Sequence, residues 1–269
     1  MVRKLFKHEF KAWLRVAPIV FGITLAVAGM HRILQFFESD TMYYSIINGS
    51  AIFIYVVALL ATMATPIIFG ITRFYKNMFS GEGYLTLTLP VTPANHLWVK
   101  VITAVVFALI SLAVCILSAI VITAGDVFTE VCKAGAYLVN MLHKDIAGHL
   151  AGYCVEFCLL ILVSLFMTYL LYYTCICVGQ LFRKNRVLAA VGVYFGVYVV
   201  NQILGTILSI VIVILEETGA LEGLFRIISA HPYATVHTVL CAMTVLYALL
   251  ALVYHLICNS IIRKRLNLE

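Results

Sequence analysis

Six long apolar stretches dominate this chain and constrain its fold more than any other feature. Each one reaches the roughly 20 mostly apolar residues that a helix needs to cross a bilayer. Because lipid offers no partner to unpaired backbone groups, all six are predicted to be helices. The stretches are Val16–Phe37, Ile46–Ile71, Val101–Ala124, Gly152–Val178, Val187–Leu215 and Val236–Ile262.

The composition agrees with a membrane protein and leaves no room for a soluble domain. Hydrophobic residues make up 64% of the 269 residues and charged residues only 11%, whereas soluble domains carry roughly a quarter charged residues. We therefore predict an all-α polytopic membrane protein with six transmembrane helices, in which residues 1–269 form a single transmembrane domain.

The placement of charge predicts the orientation of these spans. Six spans put both termini on one side, together with the second and fourth connections. By the positive-inside rule this side is cytoplasmic, and we expect a multi-pass protein of the plasma membrane. The net charge of +6 then reflects topology and not a nucleic-acid partner. This side holds 14 of the 18 basic residues, namely Arg3, Lys4, Lys7, Lys11, Arg15, Arg73, Lys76, Lys100, Arg183, Lys184, Arg186, Arg263, Lys264 and Arg265.

Residues 1–15 predict an amphipathic helix ahead of the first span. Apolar side chains fall on one helical face, and basic side chains fall largely on the others. This pattern is typical of a helix that lies in the membrane interface. It predicts an anchor for the first span, with contact to a cytoplasmic partner as a second role. The apolar face contains Val2, Phe6, Phe10 and Trp13.

Residues 72–100 form the longest polar stretch on the basic side. Ser80 is placed to cap a short helix, with Glu82 in its first turn, where a carboxylate favours the positive helix end. The alternation of leucine and threonine over residues 85–89 indicates a strand, but a lone strand has no ladder partner here, so we favour the helix. Thr92 and Pro93 predict the start of the next helix.

Two further segments, 126–150 and 216–235, are expected on the outer side. The first predicts one or two short amphipathic helices. The second contains an apolar run too short to span, which favours an element that enters the outer leaflet and returns. The eight cysteines have no metal-site spacing. Cys132 and Cys154 are both expected near the outer surface, and we do not predict that they pair.

Catalytic motifs are missing from the sequence. There is no phosphate-binding loop and no H-E-x-x-H. Glu216 and Glu217 resemble the E-E-x-x-x-R start of intramembrane proteases, but Leu221 stands at the arginine position. We find no facing pair of ionisable residues within the spans. We therefore predict no catalytic residue, no metal and no cofactor in this chain.

The fifth span contains two adjacent side-chain amides and a pair of glycines. Asn201 and Gln202 lie near its middle, and they serve either in hydrogen bonds between helices or as a polar point on a substrate path. Gly192 and Gly196 form G-x-x-x-G, which predicts close packing of this span against another helix.

The polar stretch also carries a family resemblance. The runs that carry it are Arg73-Phe74-Tyr75-Lys76-Asn77, Gly81-Glu82-Gly83-Tyr84-Leu85 and Thr88-Leu89-Pro90-Val91. They resemble a segment of ABC-2 type transporter permeases of Gram-positive, especially clostridial, bacteria. That family also has six spans, an interfacial N-terminal helix and cytoplasmic termini.

The resemblance implies partners and a set of coupling residues. The segment between spans two and three would carry a coupling helix that docks into an ATP-binding subunit. Its expected residues are Glu82, Gly83, Tyr84 and Leu85, with Arg183 and Lys184 in the next basic loop. Two ATP-binding subunits would carry ATP and Mg, and a second permease copy or a paralogue would complete the path.

The resemblance implies export of an amphipathic or hydrophobic substrate, such as an antimicrobial peptide or bacteriocin, a lipid or a drug. Two other functions stay open. A non-transporting membrane scaffold or sensor needs no motif. An ion-coupled secondary carrier normally needs buried acids at mid-membrane.

Overall fold

The computed structural model is helical throughout the part of the chain that it describes. It describes residues 2–37, 41–80, 92–124, 129–130, 132–137, 140, 150–182, 184–219, 223 and 232–264. Of these residues 93% are helical and none lies in a strand. The main helices are α1 (Val2–Trp13), α2 (Ala17–Gln35), α3 (Met42–Phe79), α4 (Pro93–Thr123), α5 (Leu150–Gly179), α6 (Arg186–Glu217) and α7 (Pro232–Lys264).

Six helical stretches in the described residues are long and apolar enough to cross a membrane. The first of them combines α1, a turn over residues 14–16, and α2. In this turn the backbone N–H of Arg15 donates to the carbonyl of Ala12, and that of Val16 donates to Trp13. Pro18 lies in the first turn of α2, where a missing N–H costs no intrahelical bond. The predictions of an all-helical fold and of six helices of membrane length are confirmed.

The chain forms two compact units, with α1 to α4 in the first and α5 to α7 in the second. In the first unit, α3 runs antiparallel to both α2 and α4. The hydroxyls of Thr24 and Thr62 lie 2.5 Å apart in the interior, joining α2 to α3. The hydroxyl of Tyr55 lies 3.0 Å from that of Ser118, joining α3 to α4.

In the second unit, α5 and α7 are parallel. Residues of α5 and α7 that contact each other are 80 or 81 positions apart in the sequence at both ends of the pair. Glu156 meets His237 near the two helix starts, and Thr174 donates to the carbonyl of Tyr254 further along. Near the helix ends, the sulfurs of Cys177 and Cys258 lie 3.1 Å apart. The two helices therefore pack side by side along most of their length.

Helix α6 packs antiparallel against α5 at one end. The rings of Tyr172 and Tyr194 are 5.7 Å apart. Gly179 approaches so closely that a Cβ on it would lie 2.7 Å from the backbone nitrogen and Cβ of Ala190. Only a glycine permits this backbone approach. None of the residues of α6 is buried.

Both helices that flank residues 80–92 extend beyond their apolar runs. Helix α3 continues to Phe79, past the end of the apolar run at Ile71, and α4 begins at Pro93, before the apolar run that starts at Val101. The extra turns are polar on one side, and their polar groups point to a carboxylate on α1. The predicted helix start at Thr92-Pro93 is confirmed, although the Thr92 side chain makes no capping bond.

Some predicted elements lie outside the described residues. They include the short helix after Ser80 and the returning element between α6 and α7. In the 126–150 segment, the described residues 132–137 are helical. Cys132 and Cys154 are both free and exposed.

Candidate functional site

A buried carboxylate on α1 joins three helices of the first unit. Glu9 is only 4% exposed. Its Oε2 lies 2.5 Å from Nε of Arg73, and its Oε1 lies 2.8 Å from Nζ of Lys100. The side-chain amide of Asn77 also donates to Oε1, at 3.3 Å. We call Glu9, Arg73, Asn77 and Lys100 the Glu9 cluster.

Helical spacing brings these four side chains together. Arg73 and Asn77 are four residues apart on α3 and therefore share a face. Glu9 and Trp13 are four residues apart on α1, and both are buried. Lys100 projects from the second turn of α4 toward the same point. Each helix thus contributes one consistent face to the cluster.

Aromatic packing supports the cluster one turn along α1. The Trp13 ring lies edge-on to Phe69 of α3, with centroids 4.7 Å apart, and stacks on Phe107 of α4 at 4.8 Å. Phe10 also meets Phe107, at 5.0 Å. Trp13 is buried within the first unit, because Phe69 and Phe107 offer it a pocket, whereas Val2 on the same face of α1 is exposed. That α1 lies in the membrane interface stays a prediction.

The cluster holds Glu9 in its charged form. Glu9 precedes the apolar run that begins at Val16 and Lys100 precedes the run that begins at Val101, so both lie outside the apolar parts of the membrane-length helices. Burial by itself raises the pKa of Glu9, but the charge and hydrogen bonds of Lys100 and Arg73 outweigh it and hold the pKa below its usual value. The two cationic donors therefore favour the ionised carboxylate.

His96 lies one turn before Lys100 and is 1% exposed. Neither ring nitrogen has a hydrogen-bond partner among the described residues. Burial lowers the pKa of His96, the nearby Lys100 charge lowers it further, and Glu9 opposes both. The ring is therefore neutral next to the cluster at neutral pH.

The cluster lies at both roots of the connection between α3 and α4. Arg73 and Asn77 belong to the last two turns of α3, and Lys100 belongs to the second turn of α4. The arrangement links α1 mechanically to both sides of residues 80–92. In the described part of the chain, no group of three His, Cys, Asp or Glu residues is placed to hold a metal ion.

The residues predicted from the sequence to be functional do not converge in the structure. Lys184 is exposed in the turn between α5 and α6, and Asn201 and Gln202 are exposed on α6. Gly192 and Gly196 also lie on α6, where an added Cβ would meet no described atom within 4 Å. Their close packing against another helix therefore finds no counterpart within the described chain. Glu82, Gly83, Tyr84, Leu85 and Arg183 lie outside the described residues.

A second polar pair lies in the second unit. Nδ1 of His237 on α7 lies 2.7 Å from Oε1 and 2.8 Å from Oε2 of Glu156 on α5. The Tyr153 ring stacks on the imidazole, with centroids 4.2 Å apart. The two side chains are about a quarter to a third exposed. This facing pair of ionisable groups corrects the expectation that the spans contain none.

Sequence reasoning missed both Glu9 and the Glu156–His237 pair. A signal for Glu9 was present, because it is the only acid among residues 2–37 and shares a helical face with Trp13. The pair has no such local signal, since its members are 81 residues apart. Comparisons of the chain with protein-family models, curated proteins and solved structures give no match.

Proposed function

We propose that this chain is the membrane-spanning permease subunit of an ATP-driven exporter of the ABC-2 type. The proposal starts from the resemblance of residues 73–91 to that family. One observation supports it most: the Glu9 cluster ties α1, α3 and α4 together at the roots of residues 80–92. A partner that pushes on this segment would move all three helices as one body.

The mechanism follows from that linkage. ATP binding closes the two partner subunits, and a coupling helix containing Glu82 to Leu85 transmits the displacement. Because Glu9 and Lys100 are buried, water and salt screen their attraction little. The three helices therefore move without sliding past one another. A packed bundle with two arrangements converts such a shift into opening of a path. ATP and Mg belong to the partner, and this chain supplies no catalytic group.

The substrate is proposed to be amphipathic or hydrophobic, such as an antimicrobial peptide or bacteriocin, a lipid or a drug. The path would be mainly apolar, in keeping with spans that carry few charges. Asn201 and Gln202 are exposed near the middle of α6, where lipid cannot satisfy their amides. Both would face the substrate path or a second permease copy.

We propose a plasma-membrane location with both termini in the cytoplasm. Each unit gathers its basic connection at the end predicted to be cytoplasmic. In the first unit, α1, the end of α3 and the start of α4 meet at the Glu9 cluster. In the second unit, the α5–α6 turn at Lys184 and the end of α7 at Arg263 lie at the same end, because α5 and α7 are parallel.

The test of coupling is a double substitution, Glu82→Ala with Tyr84→Ala. It is expected to leave the chain folded and to weaken copurification of the ATP-binding subunit or uncouple hydrolysis from transport, because aromatic and charged anchors dominate such interfaces. The matched control is Glu216→Ala with Glu217→Ala, two exposed acids at the end of α6. If the first variant loses thermal stability but keeps its partner and its stimulated hydrolysis, the segment packs only against its own chain.

ATP hydrolysis by the purified chain without partners tests whether ATP is hydrolysed by a separate subunit. The purified chain alone is expected to show no ATP hydrolysis, because it lacks a phosphate-binding loop. Hydrolysis that persists through purification to homogeneity contradicts the assignment of ATP to another subunit.

The Glu156–His237 pair favours a second candidate, an ion-coupled carrier. Such carriers use ionisable groups inside the bundle. The pair lies near the starts of α5 and α7, however, and not at their middle. Transport driven by a proton gradient in vesicles without ATP, and lost in Glu156→Gln, would support the carrier over the exporter. A scaffold or sensor would show neither activity.

A further inference from the structure

The face of α1 opposite Glu9 is strongly basic. Lys4, Lys7 and Lys11 recur at helical spacing, and all three are exposed. At about 100° per residue, Lys7 and Lys11 each lie about 200° from Glu9 around the helix. The lysines therefore point away from the first unit while Glu9 and its Trp13 neighbour point into it.

No acid offsets this charge. Glu9 is the only acidic residue among residues 2–37, and its carboxylate forms ion pairs with Arg73 and Lys100 in the interior. Arg3 and Arg15 are also exposed and add to the three lysines. Residues 2–15 thus present five exposed cations, four on α1 and Arg15 in the following turn, that no acid of α1 neutralises.

An apolar stripe runs beside the lysines. Val2, Phe6, Phe10 and Leu14 are spaced four residues apart, and the rings of Phe6 and Phe10 stack with centroids 6.5 Å apart. Together with Arg3, Lys4, Lys7 and Lys11 they line one shallow depression on the surface of α1. Half of its lining residues are cationic and half are apolar, which matches a ligand with an anionic head and an apolar tail.

We propose that this depression binds an anionic phospholipid. Its phosphate would lie among Lys4, Lys7 and Lys11, and an acyl chain would follow the apolar stripe. Residues 14–16 join α1 directly to α2, so α1 lies at the end of a membrane-length helix, where headgroups are found. Basic amphipathic helices bind anionic lipid by this combination of charge and apolar contact.

The alternative occupant is an acidic protein surface. A flat polar surface would pair with the lysines but would leave the apolar stripe next to them uncovered. The mixed lining favours the lipid. The proposal does not depend on the exporter function, because a scaffold or a carrier would retain the same surface.

The test compares the whole purified chain in nanodiscs of phosphatidylcholine alone and in nanodiscs with phosphatidylglycerol. Native mass spectrometry counts the phosphatidylglycerol molecules that stay on the protein after release. The variant Lys4→Gln/Lys7→Gln/Lys11→Gln is expected to lower the apparent affinity for phosphatidylglycerol at least tenfold, since each basic residue near an anionic surface contributes a factor of about five. Raising the salt concentration should also lower the retention of phosphatidylglycerol by the wild-type protein.

The matched control is Lys76→Gln/Lys184→Gln/Arg263→Gln. It removes the same charge from three other exposed positions, and it is expected to retain the lipid.

A second variant, Val2→Ser/Leu14→Ser, changes two exposed apolar residues of the stripe and should weaken retention of the diacyl lipid while leaving salt dependence intact. Thermal melting in nanodiscs of phosphatidylcholine alone checks that each variant is folded. If the triple lysine variant does not fold, the double variant Lys7→Gln/Lys11→Gln takes its place.

Two results would overturn the proposal. One is equal loss of phosphatidylglycerol in the α1 variant and in the control, which would mean that only net charge matters. The other is unchanged lipid retention in the α1 variant, which would show that the lysines do not bind the phospholipid and would leave the basic face to an acidic protein surface. Neither result bears on whether the chain is an exporter, which the Glu82/Tyr84 variant tests separately.

Discussion

At the scale of single residues, Glu9 is the side chain on which the first unit depends most. Its carboxylate accepts hydrogen bonds from two cations and an amide on two other helices. Glu9→Ala is expected to lower the free energy of unfolding by about 3 kcal/mol or more, because removing one partner leaves buried Lys100 without this carboxylate. Thermal unfolding in detergent measures the change.

The control for this prediction is His8→Ala, a change at the exposed neighbour of Glu9 on the same helix. It should leave the melting temperature nearly unchanged. Equal melting temperatures for the two variants would contradict a structural role for the cluster.

The ionisation of Glu9 also predicts a pH dependence. A carboxyl whose folded pKa is lowered stabilises the fold fully above its ordinary pKa of 4.5, and this stabilisation is lost as the pH falls through the lowered value. The stability difference between wild type and Glu9→Gln should therefore not shrink between pH 7 and about 5, and should shrink only below that. Glu9→Gln removes a charge that raises the pKa of His96, so the titration of His96 can widen this difference but cannot shrink it. A difference that already shrinks between pH 7 and 5 would falsify the assignment.

At the scale of helices, the sequence predicts which segments are helical better than it predicts where they end. The six apolar stretches are easy to recognise because lipid demands 20 apolar residues in a row. The last turns of α3 and the first turns of α4 are polar, so hydropathy alone stops short of them. They remain helical because Arg73, Asn77 and Lys100 find Glu9, a contact 64 to 91 residues distant in sequence.

Local sequence also does not identify the partners of the side chains in the candidate site. A buried carboxylate is expected to have a cationic partner, but local sequence does not say which of 18 basic residues supplies it. The pair Glu156–His237 depends on α5 and α7 being parallel and in register, which no local pattern encodes. Motif-based reasoning pointed instead to Asn201, Gln202 and the glycines of α6, which have no close partner within the described chain.

Close packing between helices predicts a contrast between two glycines. Gly179→Ala would place a methyl group 2.7 Å from the backbone of Ala190 and is expected to destabilise the second unit by about 1–3 kcal/mol, because the backbone cannot yield without moving α6. Gly192→Ala meets no described atom within 4 Å and should be neutral or slightly stabilising, since alanine favours helix. Melting of the two variants side by side measures this; equal effects would contradict the packing of α5 on α6.

At the scale of the whole molecule, six membrane-length helices predict a defined sidedness. Single cysteines that replace Lys76 or Lys184 in a cysteine-free chain should react with an impermeant reagent only from the cytoplasmic side. Replacements of Glu217 or Lys144 should react only from the outside. Lys76, Lys184 and Glu217 are exposed at helix ends or in turns, so their labelling reports on topology and not on burial. One position labelled from the wrong side contradicts the six-span arrangement.

The Glu9 cluster also sets an order of assembly during synthesis. Glu9 is synthesised before its partners, which follow 64 residues later at Arg73 and 91 residues later at Lys100. Throughout that interval the carboxylate has to remain in water or among headgroups. Of the three helices in the cluster, α1 is therefore made before the others but completes its docking only when Lys100 has been made, and a chain that stalls before residue 100 leaves α1 incompletely docked and open to quality-control proteases.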